Sequence, residues 1–193
     1  MAGPFDGLKG RLAASVMAAM NADMEAAAIR ALGPSPDARV LAIGFGPGVG
    51  VEKLARRLAQ GHVCGVDPSA EMVRAATKRN RRAIAAGRVE LTQTTAASLP
   101  WPGASFDAAI AVNSLQLWSP LDASLAEVAR VLRPGEQLVT LTHRWAAGRR
   151  GAHDAWVADM RAALERHGFT GIETWTGRSR TGATIGIRAR RAA

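Results

Sequence analysis

Tyrosine is absent from this sequence, and cysteine occurs only once. A single thiol forms no internal disulfide, so Cys64, which lies in the apolar stretch 62–66, is predicted to be a buried structural thiol. No apolar run approaches the roughly 18 residues that a membrane-spanning helix needs, and residues 1–6 lack the basic and then apolar plan of a signal peptide. We therefore expect one domain of 193 residues, located in the cytoplasm and without a membrane partner.

Lysine is also scarce: Lys9, Lys53 and Lys78 are the three lysines among 25 basic residues. The formal net charge is nevertheless +9, because arginine is abundant. Many of the arginines fall in three separate stretches, 74–88, 144–150 and 178–191, and Trp145 is the one aromatic residue within them. Nucleic-acid binding usually needs positive charge clustered on one face. The charge therefore does not require a nucleic-acid partner, although such a partner stays an alternative.

Residues 1–32 show helical periodicity, with apolar residues at every fourth position. A strict four-residue repeat drifts around a 3.6-residue helix, so we predict two helices with a break near Asn21. Pro34 and Pro36 end this region. We divide the single domain into an N-terminal helical cap, 1–36, and a core, 37–193.

The core alternates short apolar runs with helical patterns, which predicts an α/β fold with a doubly wound, mostly parallel sheet. The predicted strands are 39–43, 62–66, 88–93, 107–112, 137–142, 171–176 and 184–188, and the predicted helices are 51–60, 69–86, one opening at Ser119, and 152–167. Ser69 and Ser119 are the predicted N-caps, and 133–135 is a predicted turn. The glycine-rich segment 177–182 joins the last two strands, so we expect one antiparallel strand at the sheet edge.

A glycine-rich loop follows the first predicted strand, with glycines at positions 44, 46, 48 and 50. Val49 breaks the G-x-G-x-x-G pattern of a dinucleotide site, and no G-K-[ST] follows as a P-loop requires. Pro47 removes an N–H group that a pyrophosphate would use. The loop therefore favours a ligand without phosphates, and a nicotinamide oxidoreductase is the disfavoured reading.

Asp67 ends the second predicted strand, beside this loop in a doubly wound sheet. A carboxylate there accepts hydrogen bonds from two ribose hydroxyls. The alternative is a turn aspartate before a helix, and its placement together with the glycine loop favours the binding role.

Five segments carry a resemblance to a known family. They are Val40-Leu41-Ala42-Ile43-Gly44-Phe45-Gly46-Pro47-Gly48, Gly65-Val66-Asp67-Pro68-Ser69-Ala70-Glu71-Met72, Leu99-Pro100-Trp101, Ser105-Phe106-Asp107 and Arg130-Val131-Leu132-Arg133-Pro134-Gly135. In these segments the chain resembles the class I S-adenosylmethionine-dependent methyltransferases, in particular the ubiquinone-biosynthesis-type and small-molecule group. The resemblance implies a Rossmann-like, seven-stranded sheet of order 3-2-1-4-5-7-6 with strand 7 antiparallel. It also implies S-adenosylmethionine as cofactor and S-adenosylhomocysteine as product.

The resemblance assigns roles to residues by position. The implied cofactor-binding residues are Ile43, Gly44, Phe45, Gly46, Gly48, Asp67, Pro68, Met72, Thr95, Ala96, Asn113 and Leu115. Gln116, Trp118 and Trp145 are the implied substrate pocket, and no metal ligand is implied. Members of the family usually carry acids where this chain has Ala42 and Thr95, so the chain departs from the family at two positions that contact the cofactor.

Methyl transfer to a small, partly apolar acceptor is the predicted function. The alternatives are a protein of the same fold that binds the cofactor without methylating, and a methyltransferase acting on nucleic acid. His143, just past the fifth strand, is the candidate general base, with a hydrogen bond to backbone as its alternative role. Because the chain lacks long insertions, we expect the pocket to be closed by residues 1–32 or by a second subunit of a homodimer.

Overall fold

A computed structural model of the protein describes residues 21–148 and 153–193. Residues 21–32 are helical, and we call this helix α1. The other helices are α2 (Val49–Arg57), α3 (Ala70–Ala85), α4 (Leu121–Val131) and α5 (His153–Arg166), with a 3₁₀ turn at Leu115–Leu117. The strands are β1 (Arg39–Ile43), β2 (His62–Asp67), β3 (Val89–Gln93), β4 (Phe106–Val112), β5 (Leu132–His143), β6 (Phe169–Ser179) and β7 (Gly182–Arg191). The predicted helices before residue 21, and the break near Asn21, fall outside the described residues or at their border.

The strands form one sheet in the order β3-β2-β1-β4-β5-β7-β6. Pairing is parallel from β3 through to β5, and β7 is antiparallel to both of its neighbours. This is the α/β order that the family resemblance implied. The antiparallel strand β7 lies one position in from the edge, because the hairpin partner β6 packs outside it.

Both faces of the sheet are covered by helices, which explains the continuous apolar character of the central strands. Residues of α1 and α2 pack with β1 and β4 in one buried cluster. Residues of α4 and α5 pack with the other face in a second cluster. Cys64 is fully buried, and burial raises the pKa of its thiol to about 11. The prediction of a buried cysteine is therefore correct.

Most element bounds match the sequence prediction within one to three residues, and Ser69 caps α3 by accepting a hydrogen bond from the backbone of Met72. The prediction that Ser119 caps the next helix is wrong, because α4 begins after Pro120 and no side chain caps it. The predicted turn at 133–135 is an irregularity inside β5, where the pairing of Phe106 and Ala108 with β5 shifts register. The predicted glycine-rich connection 177–182 is also too long, because strand pairing continues to Ser179 and Gly182. Pairing between β6 and β7 makes both strands of this hairpin longer than the local composition indicated.

Among the described residues, none of the helices combines the length and the apolar character needed to cross a bilayer.

Candidate functional site

A pocket opens where the carboxyl ends of β1, β2 and β4 meet, with about 1080 Å³ of empty space including its open mouth. Parallel strands present their loops at this edge, and the chain reverses its order between β1 and β4 there. The described residues that line it are Asn21, Glu25, Ile43, Gly44, Phe45, Gly46, Pro47, Val49, Val66, Asp67, Pro68, Ser69, Met72, Thr94, Thr95, Ala96, Val112, Asn113, Ser114, Leu117, Trp118, Ser119 and Ser124.

The glycine loop between β1 and α2 forms the floor of the pocket. Gly44 and Gly46 both have positive φ, 66° and 54°, which favours glycine. A Cβ built on Gly44 would collide with the side chain of Ser114, whose hydroxyl donates to the carbonyl of Ile43 at 2.7 Å. At Gly46 the same position is open space. The loop therefore places backbone directly against the pocket.

Asp67 connects this loop with the end of β2. Its Oδ2 accepts a hydrogen bond from the N–H of Gly46 at 2.8 Å, and its Oδ1 accepts from the N–H of Ser69 at 2.9 Å. Burial raises the pKa of the carboxyl, and the two N–H donors act against that rise. Each carboxylate oxygen offers about two lone-pair positions, so each retains one for a ligand.

Four residues line the same side of the pocket beyond Asp67: Pro68, Met72, Thr95 and Ala96. Met72 and Ala96 are buried, whereas Pro68 and Thr95 are exposed. They combine an apolar surface with the hydroxyl group of Thr95. This combination suits a flat heteroaromatic ring that has polar atoms at its edge.

Asn113 lies at the end of β4 with a φ of 52°. Its side chain donates to Oδ1 of Asn21 at 2.9 Å, and its own Oδ1 accepts from the N–H of His143 at 2.9 Å. The side-chain amide of Gln116 donates to the carbonyl oxygen of Asn113 at 2.9 Å. A second lone pair of that carbonyl stays available to a ligand.

Five residues that the sequence assigned to the site do not line the described pocket: Gly48, Leu115, Gln116, His143 and Trp145. Gly48 packs tightly against α3, and a Cβ there would crowd Ala76 and Asn80. Leu115 is buried in the core on the opposite face of the sheet from α1. Gln116 contacts the pocket only through Asn113, because its side-chain amide donates to the carbonyl oxygen of that residue.

His143 and Trp145 lie together beyond β5, with their rings edge-to-face and 5.3 Å apart. His143 is buried, its Nε2 contacts the hydroxyl of Thr181, and burial lowers its pKa. Trp145 is 67% exposed. The geometry favours a structural role for His143 over the predicted one of general base.

Asn21 and Glu25, which reach the pocket from α1, were not predicted from the sequence. Both lie in an alanine-rich stretch with no motif around them, so local sequence carried no signal. Their presence shows that α1, part of the predicted N-terminal cap, forms a wall of the pocket. Ser114 and Leu117 were also missed, although they flank residues that the resemblance had assigned.

The charges of the lining indicate what the pocket binds. Among its described residues, Glu25 and Asp67 are the charged side chains, and neither lysine nor arginine is present. Trp118 contributes an indole N–H that is buried without a hydrogen-bond partner in the described part of the chain. Two acids and a spare donor suit a ligand with hydroxyls and positive charge, and they suit a pyrophosphate poorly. The residues present therefore fit S-adenosylmethionine.

A second polar cluster lies on the sheet away from the pocket, where ligand atoms of His62, Cys64 and Glu90 come within 4.8 Å of one another. The guanidinium of Arg39 donates to Sγ of Cys64 at 3.5 Å. A metal ion there would be repelled by this cation. It would also need Cys64 as a thiolate, and burial raises the pKa of this thiol, which opposes its deprotonation.

Comparison with known proteins supports the same family. Residues 40–135 match a family model described as a methyltransferase domain. An uncharacterized methyltransferase of Bacillus subtilis, YdaC, is 27% identical over 84% of this chain and 88% of its own length. The fatty-acid O-methyltransferase of Mycolicibacterium smegmatis is 38% identical over 50% of this chain and 34% of its own length. Apart from the Bacillus protein, the chain spans between a third and a half of the length of the curated relatives it matches.

The fold is shared with phosphoethanolamine N-methyltransferase 2 of Haemonchus contortus, solved in complex with S-adenosyl-L-methionine. The TM-score is 0.71 at 16% identity, and the alignment covers 89% of this chain and 53% of that one. At this identity the likeness establishes the architecture.

Proposed function

The chain belongs to the class I S-adenosylmethionine-dependent methyltransferases, and we propose that it methylates a small, partly apolar acceptor at the pocket formed by β1, β2 and β4. The observation that carries the proposal is the contact of Asp67 with Gly46. It joins a buried carboxylate to a loop without phosphate-binding features, and so makes a site for a nucleoside rather than a nucleotide.

The roles proposed for the pocket residues follow from their contacts. Asp67 accepts hydrogen bonds from the two ribose hydroxyls, with its orientation held by the N–H groups of Gly46 and Ser69. Met72, Pro68 and Ala96 pack on the adenine, and Thr95 contacts its polar edge. When bound, S-adenosylmethionine supplies a methyl group already activated on a sulfonium. The protein then needs only to align the acceptor and to exclude water.

The apolar mouth of the pocket supports a partly apolar acceptor. Leu117 lines the pocket and is 72% exposed, next to Trp118. An exposed apolar surface at the rim of a pocket is typical of a ligand-binding site. The fatty-acid O-methyltransferase among the relatives acts on an acceptor of this class. Because His143 bonds to Thr181 and lies outside the pocket lining, the proposal assigns it no proton transfer.

The test has two stages. Calorimetry with S-adenosylmethionine and S-adenosylhomocysteine should show binding of both. A screen with tritiated methyl donor should then label small carboxylic or phenolic acceptors, with bulk RNA and protein as the comparison. Binding without turnover on any acceptor would favour the non-methylating alternative, labelled RNA would favour the nucleic-acid alternative, and absence of binding would contradict the whole proposal.

A further inference from the structure

Glu25 is a pocket-lining acid that forms no hydrogen bond or ion pair within the described part of the chain. It lies on α1, outside the residues 40–135 that the family model matches. Its side chain is half-buried and its carboxylate lies against Gly50, where a Cβ would collide with Oε2. No hydrogen bond to Glu25 is found from residues 21–148 or 153–193. A half-buried carboxylate with no hydrogen-bond partner among the described residues is available to bind a ligand.

The surroundings of Glu25 place it at one end of the pocket. It lines both the main pocket and a small adjoining cavity whose walls include Ala42, Ile43 and Gly44. This is the β1–β4 side of the site, because the cavity is also lined by Ile110 and Val112 of β4. The residues proposed to pack on adenine follow β2 and β3, on the other side of Asp67. Glu25 is therefore on the methionyl side of the ribose.

The two acids of the pocket differ in what they can bind. Each oxygen of Asp67 already accepts one backbone N–H, so Asp67 is oriented for neutral hydroxyl donors. Glu25 has neither of these donors, and Lys53 of α2 is the cation that acts on it. Burial raises the pKa of Glu25 to about 8, and Lys53 only partly opposes this rise. A ligand cation at this position would restore the charged form.

We propose that the carboxylate of Glu25 binds the α-ammonium of the methionyl part of S-adenosylmethionine. The proposal rests on the proposed function, since it concerns the same ligand. It makes α1 part of the cofactor site, with the acid supplied by a helix outside the matched domain. An ammonium is the fitting partner because it offers N–H donors to a carboxylate, which a sulfonium does not.

The test compares two ligands that share the thioether nucleoside. S-adenosylhomocysteine carries the amino-acid part, and 5′-methylthioadenosine lacks it. In Glu25→Gln, calorimetry should show S-adenosylhomocysteine binding roughly ten- to a hundred-fold more weakly, as the loss of one charge-assisted hydrogen bond implies. Binding of 5′-methylthioadenosine should change by no more than about two-fold, because that ligand has no ammonium.

Glu52→Gln is the matched control, since it removes a carboxylate from the first turn of α2 whose partners are Arg56 and Arg79, outside the pocket. It should leave both dissociation constants unchanged. Equal weakening of the two ligands in Glu25→Gln, or a similar loss in Glu52→Gln, would overturn the assignment and leave the proposed function standing. Failure of the wild-type protein to bind either ligand would overturn both.

Proton release gives a second readout that does not depend on turnover. Binding of S-adenosylhomocysteine near pH 7.5 should release up to about one proton from Glu25, measured by calorimetry in two buffers of different ionisation enthalpy. The other charged groups to consider are Lys53 of α2 and Asp67 across the pocket, and both remain in Glu25→Gln. That variant should lose the release, and unchanged release would contradict the proposal.

Discussion

At the scale of single residues, the pocket is lined by two carboxyls in different surroundings, Asp67 and Glu25. Asp67 is held by the N–H groups of Gly46 and Ser69, which stabilise its ionised form against the effect of burial. Glu25 has no such donors among the described residues, and its pKa rises to about 8. The same side-chain chemistry thus provides a fixed acceptor at one point and a charge-responsive group at another.

Asp67→Asn should weaken S-adenosylhomocysteine binding by roughly ten- to a hundred-fold, because an amide replaces one acceptor oxygen by a donor. Isothermal calorimetry measures the change. Asp122→Asn is the control, since Asp122 is exposed and pairs with Arg166 and His167 away from the pocket. A folded Asp67→Asn protein with wild-type affinity would contradict the role of Asp67.

Glu25→Gln should also change how stability depends on pH. Because the folded pKa lies above the unfolded value of 4.5, the folded state binds the extra proton between about pH 4.5 and 8. Glu25 therefore makes the free energy of unfolding fall as pH rises through this window, by at most about 1.4 kcal/mol per pH unit.

Urea denaturation of the ligand-free proteins at pH 5 and pH 8 tests this dependence. The variant should gain stability relative to the wild type at pH 8 and gain little at pH 5. A stability difference that is the same at both values would show that Glu25 keeps an ordinary pKa.

At the scale of elements, three of the helices that contribute to the pocket, α2, α3 and α4, begin in three different ways. Ser69 caps α3 through its side chain. Gly48 begins α2 in the left-handed region, with φ of 79°, and its lack of a side chain lets α3 pack closely. Pro120 precedes α4 without a side-chain cap. Only the first of these beginnings holds a pocket residue directly, because Ser69 also donates its N–H to Asp67.

Ser69→Ala should lower the free energy of unfolding by about 1 kcal/mol, since an orphan N–H of α3 loses its acceptor. Ser119→Ala is the matched control, and it should change stability by less than about 0.5 kcal/mol because Ser119 caps nothing. Guanidinium denaturation followed by circular dichroism distinguishes the two. Equal losses would mean that the cap of Ser69 contributes nothing.

At the scale of the molecule, α1 connects regions that are distant in the chain. Gln137 of β5 donates to the carbonyl of Leu32, and Arg188 of β7 donates to that of Ala31. Two turns earlier in the helix, Asp23 accepts a hydrogen bond from the N–H of Arg180 in the β6–β7 turn. The described part of the helix thus contacts the sheet through residues 31–32 and the β6–β7 turn through Asp23, while Asn21 and Glu25 reach the pocket.

Cofactor product should therefore protect α1 together with the glycine loop. At a concentration a hundred-fold above its dissociation constant, a ligand that binds only the folded state adds about 2.7 kcal/mol to the free energy of unfolding. Hydrogen exchange measured by mass spectrometry should show slower exchange in residues 21–32 as well as 44–50 when S-adenosylhomocysteine is added. Protection of the loop with no change in α1 would contradict a shared site.

The sequence by itself determined the alternation of strands and helices, the glycine loop and Asp67. These features depend on local periodicity and on backbone conformations that few residues adopt. Only the tertiary structure decided that Glu25 lies beside Gly50, that His143 bonds to Thr181, and that Ser119 caps nothing. Those contacts join residues far apart in the chain or depend on how an element begins, so no local pattern encodes them. The acid that the family carries at the position of Ala42 is absent, and the structure brings Glu25 to the cavity beside Ala42 because α1 packs across the end of β1.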